Sequence, residues 1–138
     1  MKRFLTNGEI PLLSIDLALT VLRIFAGLTM ALTHGAAKLP PSEKFVTFLT
    51  EFGFPVPLVM AWSAGLSELV GGLLLAAGLF TRPAAFFLVF TMAIAAFVVH
   101  AADPFAKKEL ALVYLLIYTV FLITGSGKFS VDAALRKP

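Results

Sequence analysis

The chain contains no cysteine. Structural disulfides, thiol relays within the chain, thiolate-held iron–sulfur clusters and cysteine-based zinc sites are therefore excluded. Charge is also scarce. Asp, Glu, Lys and Arg make up 14% of the 138 residues, against about a quarter in a soluble domain. The net charge is +3 and no basic tract is present, so nucleic acid is not a partner to expect. The alternating segments of about ten residues that build a membrane β-barrel are missing. A phosphate loop is missing too: Gly125-Ser126-Gly127-Lys128-Phe129 lacks the glycine spacing and has no Ser or Thr after its lysine. No group of residues has metal-ligand spacing.

What remains is overwhelmingly apolar, with hydrophobic residues at 59% of the chain. That composition is the signature of an integral membrane protein. The length allows one membrane domain, 1–138, and no second one. Four spans can be drawn, at about 17–33, 57–80, 84–102 and 110–124. The expectation is an all-α fold, an antiparallel four-helix bundle in the membrane, because helices satisfy their backbone polar groups internally. Thr81-Arg82-Pro83 is a tight turn between spans two and three, and Ala102-Asp103-Pro104-Phe105 joins three and four. Between spans one and two, Ser42 is placed to cap a short helix that presents Phe45, Phe48, Leu49 and Phe52 on one face and ends at Gly53. It reads either as an interfacial segment or as a packed cover over the bundle mouth. After Gly125 ends the fourth helix, Ser130 is placed to cap a short final one.

The basic start Met1-Lys2-Arg3 resembles the opening of a signal peptide, but the following apolar stretch carries Arg23 and has no convincing cleavage site. Lys2, Arg3, Arg82, Lys128, Arg136 and Lys137 fall on one side of the four spans, and Lys38, Lys44, Lys107 and Lys108 on the other. The bias places both termini in the cytoplasm.

Polar residues inside apolar spans are costly and are read as functional by default. Glu68 lies mid-way along span two. Arg23 lies on span one in a stripe with Asp16, Thr20, Gly27, Met30, His34 and Lys38. Similar depths suggest an Arg23–Glu68 pair, serving either as a structural ion pair or in ligand, proton or quinone handling. Ala61, Ala64, Gly65, Glu68, Gly71 and Gly72 share a face, which allows close helix approach or leaves room for a small molecule. His34, Lys38, His100 and Glu109 collect at the outward mouth. Two histidines there raise haem ligation, but nothing else marks a haem site. Glu109 has a simple structural account at a helix N-terminus. Tyr114 and Tyr118 read as packing aromatics, and Trp62 as an interfacial anchor. The ligand-binding or functional candidates are thus Arg23, His34, Lys38, Glu68, His100 and Glu109, with no catalytic residue and no metal ligand assigned.

An Arg early in span one, His34-Gly35-Ala36-Ala37-Lys38, Phe52-Gly53-Phe54-Pro55, Glu68 with Gly71-Gly72, Gly78-Leu79-Phe80-Thr81-Arg82-Pro83-Ala84, His100, and the tail Gly125-x-Gly127-Lys128-Phe129-Ser130-x-Asp132 follow one another in a fixed order. Together they resemble the DoxX family over nearly the whole chain. The resemblance implies a small four-helix subunit of the bacterial inner membrane. It also implies association with quinone-linked oxidoreductases or with redox complexes that have soluble partners. Quinone is the cofactor it suggests. The alternative is a non-enzymatic scaffold, chaperone or lipid-binding protein. Lipid, a redox-enzyme or other protein partner, and a second copy of the chain are the partners to consider.

Overall fold

A computed structural model describes residues 11–136. The basic residues Lys2, Arg3 and Lys137, and the signal-like start, lie outside that range. Within it the chain is helical with no strand. We label the helices α1 (Leu12–Lys38), α2 (Glu43–Glu51), α3 (Pro57–Ala77), α4 (Thr81–Val99), α5 (Phe105–Thr124) and α6 (Val131–Leu135). α1, α3 and α4 are each long and apolar enough to cross a membrane. α5 has 20 residues and carries Lys107, Lys108 and Glu109 within its first two turns.

The boundaries differ from the sequence expectation in ways that have local causes. α1 begins earlier and runs on to Lys38, because its last turns are π-helical (Met30–Gly35) and then 3₁₀ (Ala36–Lys38) rather than broken. α3 stops at Ala77, where Gly78 adopts φ +69° and the Gly78 and Leu79 amides fold back onto the Leu75 and Leu74 carbonyls. α4 starts at Thr81, with Pro83 inside its first turn. The two short helices are capped as their sequences indicate. The Phe45 amide donates to Ser42 Oγ at 3.2 Å and the Ala133 amide to Ser130 Oγ at 3.1 Å.

α1 and α3 run in opposite senses with their backbones in close contact. A Cβ added at Gly27 would meet Gly72 O at 2.6 Å and Ala76 N at 2.7 Å, and one added at Gly72 would meet Gly27 O at 2.7 Å. Gly35 sits directly on the Glu68–Leu69 backbone. Gly27, Ala31 and Gly35 are spaced by four, so they form the small-residue stripe on which α3 lies. The core is completed by Leu75, Leu88, Met92, Tyr114, Tyr118 and Phe121. Tyr114 and Tyr118 are buried, and Tyr118 Oη donates to Ala26 O at 3.3 Å. The outer faces carry exposed Phe25, Leu32, Phe86, Phe97, Leu116 and Ile123. These are apolar surfaces that only lipid or another apolar partner satisfies. Trp62 is partly exposed among them.

Candidate functional site

The α1–α3 register decides which polar groups meet. With Gly27 opposite Gly72, Arg23 falls beside the last turn of α3. Its Nη1 donates to Leu75 O and Ala76 O, both at 2.9 Å, and its Nη2 to Phe129 O at 2.8 Å. Arg23 therefore caps the C-terminus of α3 and ties the tail to it. It does not pair with Glu68, which lies seven residues earlier on α3, roughly 10 Å along the axis.

The same end of the molecule holds a matching cap. Asp132 in α6 accepts the Phe80 amide (2.9 Å), the Thr81 amide (3.0 Å) and the Thr81 hydroxyl (2.8 Å), while its own amide donates to Gly78 O at 2.8 Å. Phe80 is thereby held at φ +47°, a conformation that a bulky side chain rarely adopts. Partial burial opposes ionisation of Asp132. The hydrogen bonds from Thr81 and Phe80, with the nearby Arg136 charge, nonetheless hold its carboxyl below the ordinary aspartate range. The tail motif that the sequence offered as part of a family pattern is thus a structural clasp over the α3–α4 turn.

Glu68 is handled differently. It is 1% exposed and lies in a π-helical turn, Ser67–Gly71, against the π-helical turn of α1. Its Oε1 accepts from Lys38 Nζ at 2.5 Å. Its Oε2 is buried with no hydrogen-bond partner among the described residues. Lys38 is one-third exposed and also lies over the Phe45 ring, 5.9 Å from the centroid.

This pair lines a cavity of about 430 Å³, a volume suited to a small organic ligand. Its walls are almost wholly apolar. Phe45, Phe48 and Leu49 of α2 roof it, and Phe87, Phe90 and Ile94 of α4 form the far side. Ser63, Ser67, Thr91 and His100 add a sparse polar line. Thr91 Oγ1 donates to Ser67 Oγ at 2.9 Å, which fixes α3 against α4 at the level of Glu68. The short helix α2 therefore covers the cavity, so its Phe face and Glu68 belong to one site and not to competing ones.

The other candidates divide. His100 lines the cavity, and its Nδ1 lies 2.8 Å from Asp103 Oδ2. Contact with His100 holds the Asp103 carboxyl below its ordinary range. His34 is half-buried and packs edge-on against Tyr114, with centroids 6.1 Å apart; it is not among the cavity residues. Glu109 is exposed. Because α5 begins at Phe105, Glu109 sits a turn inside the helix and not at its N-terminus. The described residues contain no group of three or more His, Asp or Glu able to hold a metal ion.

Sequence reasoning missed Ser67 and Thr91, and it left α2 open between an interfacial segment and a cover over the mouth; α2 lines the cavity. That reasoning also missed the π turns of α1, α3 and α4 (Ala95–Val99), all of which lie along or beside the cavity. Such turns recur at functional sites and leave no propensity signal.

Comparison with known proteins agrees with the sequence pattern. The sequence model of the DoxX family matches residues 18–101, more than half of the chain. An uncharacterized protein of Haemophilus influenzae is 39% identical over 110 residues, covering 75% of this chain and 80% of that protein. No solved structure matches the chain.

Proposed function

This chain belongs to the DoxX family of multi-pass membrane proteins, and on that premise we propose that it is a redox-associated membrane subunit that binds a quinone-like, polar-headed molecule within its helices. One observation carries the reading: a largely apolar cavity of about 430 Å³ holds a buried carboxylate with one oxygen unsatisfied. A buried polar group without a partner is costly, and a ligand head is one way to complete it. The residues that would bind the head are Lys38 and Glu68, with Ser67 and Thr91 beside them. Arg23, which the sequence favoured for this role, is consumed by the α3 cap. The Lys38 ammonium orients a carbonyl or hydroxyl oxygen, and Glu68 accepts or returns a proton. His100 and Asp103 stand at the outer end, placed to exchange protons with water. Electron transfer, if any, is the chemistry that the quinone would supply.

In this reading α5 is the fourth span. Its Lys107, Lys108 and Glu109 then lie at the outer interface, where long side chains reach water. Arg82, Lys128 and Arg136 gather at the opposite end, a basic cluster that supports an orientation with that end in the cytoplasm of a bacterial inner membrane. The exposed apolar faces leave room for a redox-enzyme partner or a second copy.

The test is solvent extraction of the detergent-purified protein, with mass spectrometry and oxidised and dithionite-reduced absorbance spectra. A stoichiometric quinone that is lost in Glu68→Gln supports the proposal. Only bulk lipid, in equal amount from both proteins, overturns it and leaves the non-enzymatic lipid-binding or scaffold reading.

A further inference from the structure

The cavity constrains its occupant more narrowly than size alone. Phe87 and Phe90 line it, yet each is 58% exposed on the outer face of α4. Phe48, in the cover, is also exposed. The cavity wall is therefore open at the side that faces lipid, not sealed within the bundle. The Ser67–Thr91 bond marks the depth of Glu68 on α4. His100, at the outer end, lies nine residues farther on, roughly 14 Å along the helix. The charged pair is thus at the inner end of the cavity, beside the lateral opening, and the histidine is at the end nearest water.

The hydrogen-bonding demand at that inner end is specific. In the Lys38–Glu68 ion pair the ammonium donates to Oε1, and the second carboxylate oxygen, Oε2, is an acceptor without a donor. The Lys38 ammonium has three protons, and a ligand oxygen can take one of those not used by Glu68. A head satisfying both groups must donate one hydrogen bond and accept another. A hydroxyl does this with a single atom. A carbonyl or an ether oxygen can only accept, and it leaves Oε2 unpaired.

Resting on the reading above and narrowing it to the hydroxyl-bearing, quinol-like form of such a head, we infer that the Glu68 cavity selects hydroxyl-headed amphiphiles taken laterally from the bilayer. The hydroxyl sits between Lys38 and Glu68, and the chain leaves past the exposed rings of Phe87 and Phe90. Binding involves no covalent step.

The experiment uses the full chain in lipid nanodiscs and two probes with the same dodecyl chain, 4-dodecylphenol and its methyl ether, 4-dodecylanisole. Competition against a phenol bearing a photoreactive diazirine on the chain carbon next to its ring reads affinity and position together. The expected result is saturable labelling confined to the Phe87–Ile94 stretch of α4. The phenol should displace the label at about one-tenth the concentration of the ether or less, since an unsatisfied buried acceptor is the difference between them. Equal displacement by phenol and ether overturns the hydroxyl requirement and assigns Oε2 to a bound water, while the binding reading stands. Labelling spread over α1 and α5 overturns the lateral path. Absence of saturable labelling by any probe removes this inference. If extraction also yields no specific ligand, the reading on which it rests falls with it. All arms use the wild-type sequence, so none depends on a variant that fails to fold.

Discussion

Arg23 and Glu68 are both buried charges in apolar helices, and they show two ways in which a membrane protein keeps such a group. Arg23 is 2% exposed and spends three hydrogen bonds on backbone carbonyls at the end of α3 and in the tail. One nitrogen, Nε, stays unpaired, but Arg23 does not line the Glu68 cavity. Glu68 makes one contact, through Oε1, and faces a cavity with the other oxygen unused. The first charge closes the structure. The second leaves a demand that something outside the chain can meet. Burial alone did not distinguish them; the partners did.

The contrast can be broken most forcefully at Arg23. Arg23→Met removes three charge-assisted bonds and exposes the α3 carbonyls to an apolar setting. We expect a loss of at least about 3 kcal/mol, read as collapse of the monodisperse peak in detergent chromatography or a large fall in Tm. A variant that stays monodisperse with its Tm unchanged would remove the capping account.

Next is Gly35→Ala, where the new methyl would strike the Glu68–Leu69 backbone. Overpacking of this kind costs about 1–3 kcal/mol. It should also part Lys38 from Glu68, so ligand retention should fall more than Tm. Equal and small changes in both would show that the α1–α3 contact does not position the pair.

Glu68→Gln sharpens the comparison from the other side. It should eliminate ligand retention with less loss of stability than Arg23→Met, because Lys38 is one-third exposed and can turn toward water. A fall in Tm as large as that of Arg23→Met would make Glu68 a structural group like Arg23.

The clasp gives a pH test. Asp132 has a folded-state pKa below the ordinary value of 3.8. A carboxyl lowered in this way contributes stability that is fully present above 3.8 and is lost as pH falls through the folded value. Hydrogen exchange in the 126–136 segment should therefore rise below pH 3.8, ahead of exchange in α3. Asp132→Asn should show raised exchange already at neutral pH. Flat exchange down to acid unfolding would remove the clasp. The smallest effect is expected at Glu109, which is exposed and outside the cavity. Glu109→Gln should change Tm by no more than about 0.5 kcal/mol of stability allows and leave ligand retention intact.

The sequence carried the local features of the fold well. Apolar length located the long helices, Ser42 and Ser130 located caps, and Gly125 located the end of α5. Each of these is decided by neighbours within a few residues. The site was legible as a set of residues but not as a set of partners. Pairing Arg23 with Glu68 followed from their nominal depths, whereas the real depth is set by Gly27, Ala31 and Gly35 seating on Gly72 and Leu69. That register is a property of two helices at once. Lys38 was recognised at the mouth but could not be seen turning inward, because its direction depends on the π and 3₁₀ turns that precede it. Glu109 looked equivalent to His100 only while α5 was thought to start five residues later.

The π turn at Met30–Gly35 has a consequence for how this protein can change. Such a turn is an α-helix that has accommodated one extra residue. The widened turn absorbs that residue locally, so Arg23 and Gly27 before it and Lys38 beyond it can all face α3. Removing one outward-facing residue such as Leu32 would turn the bulge back into ordinary α-helix and leave both the Arg23 cap and the direction of Lys38 in place. One codon there changes the length of the helix and not the facing of its charges.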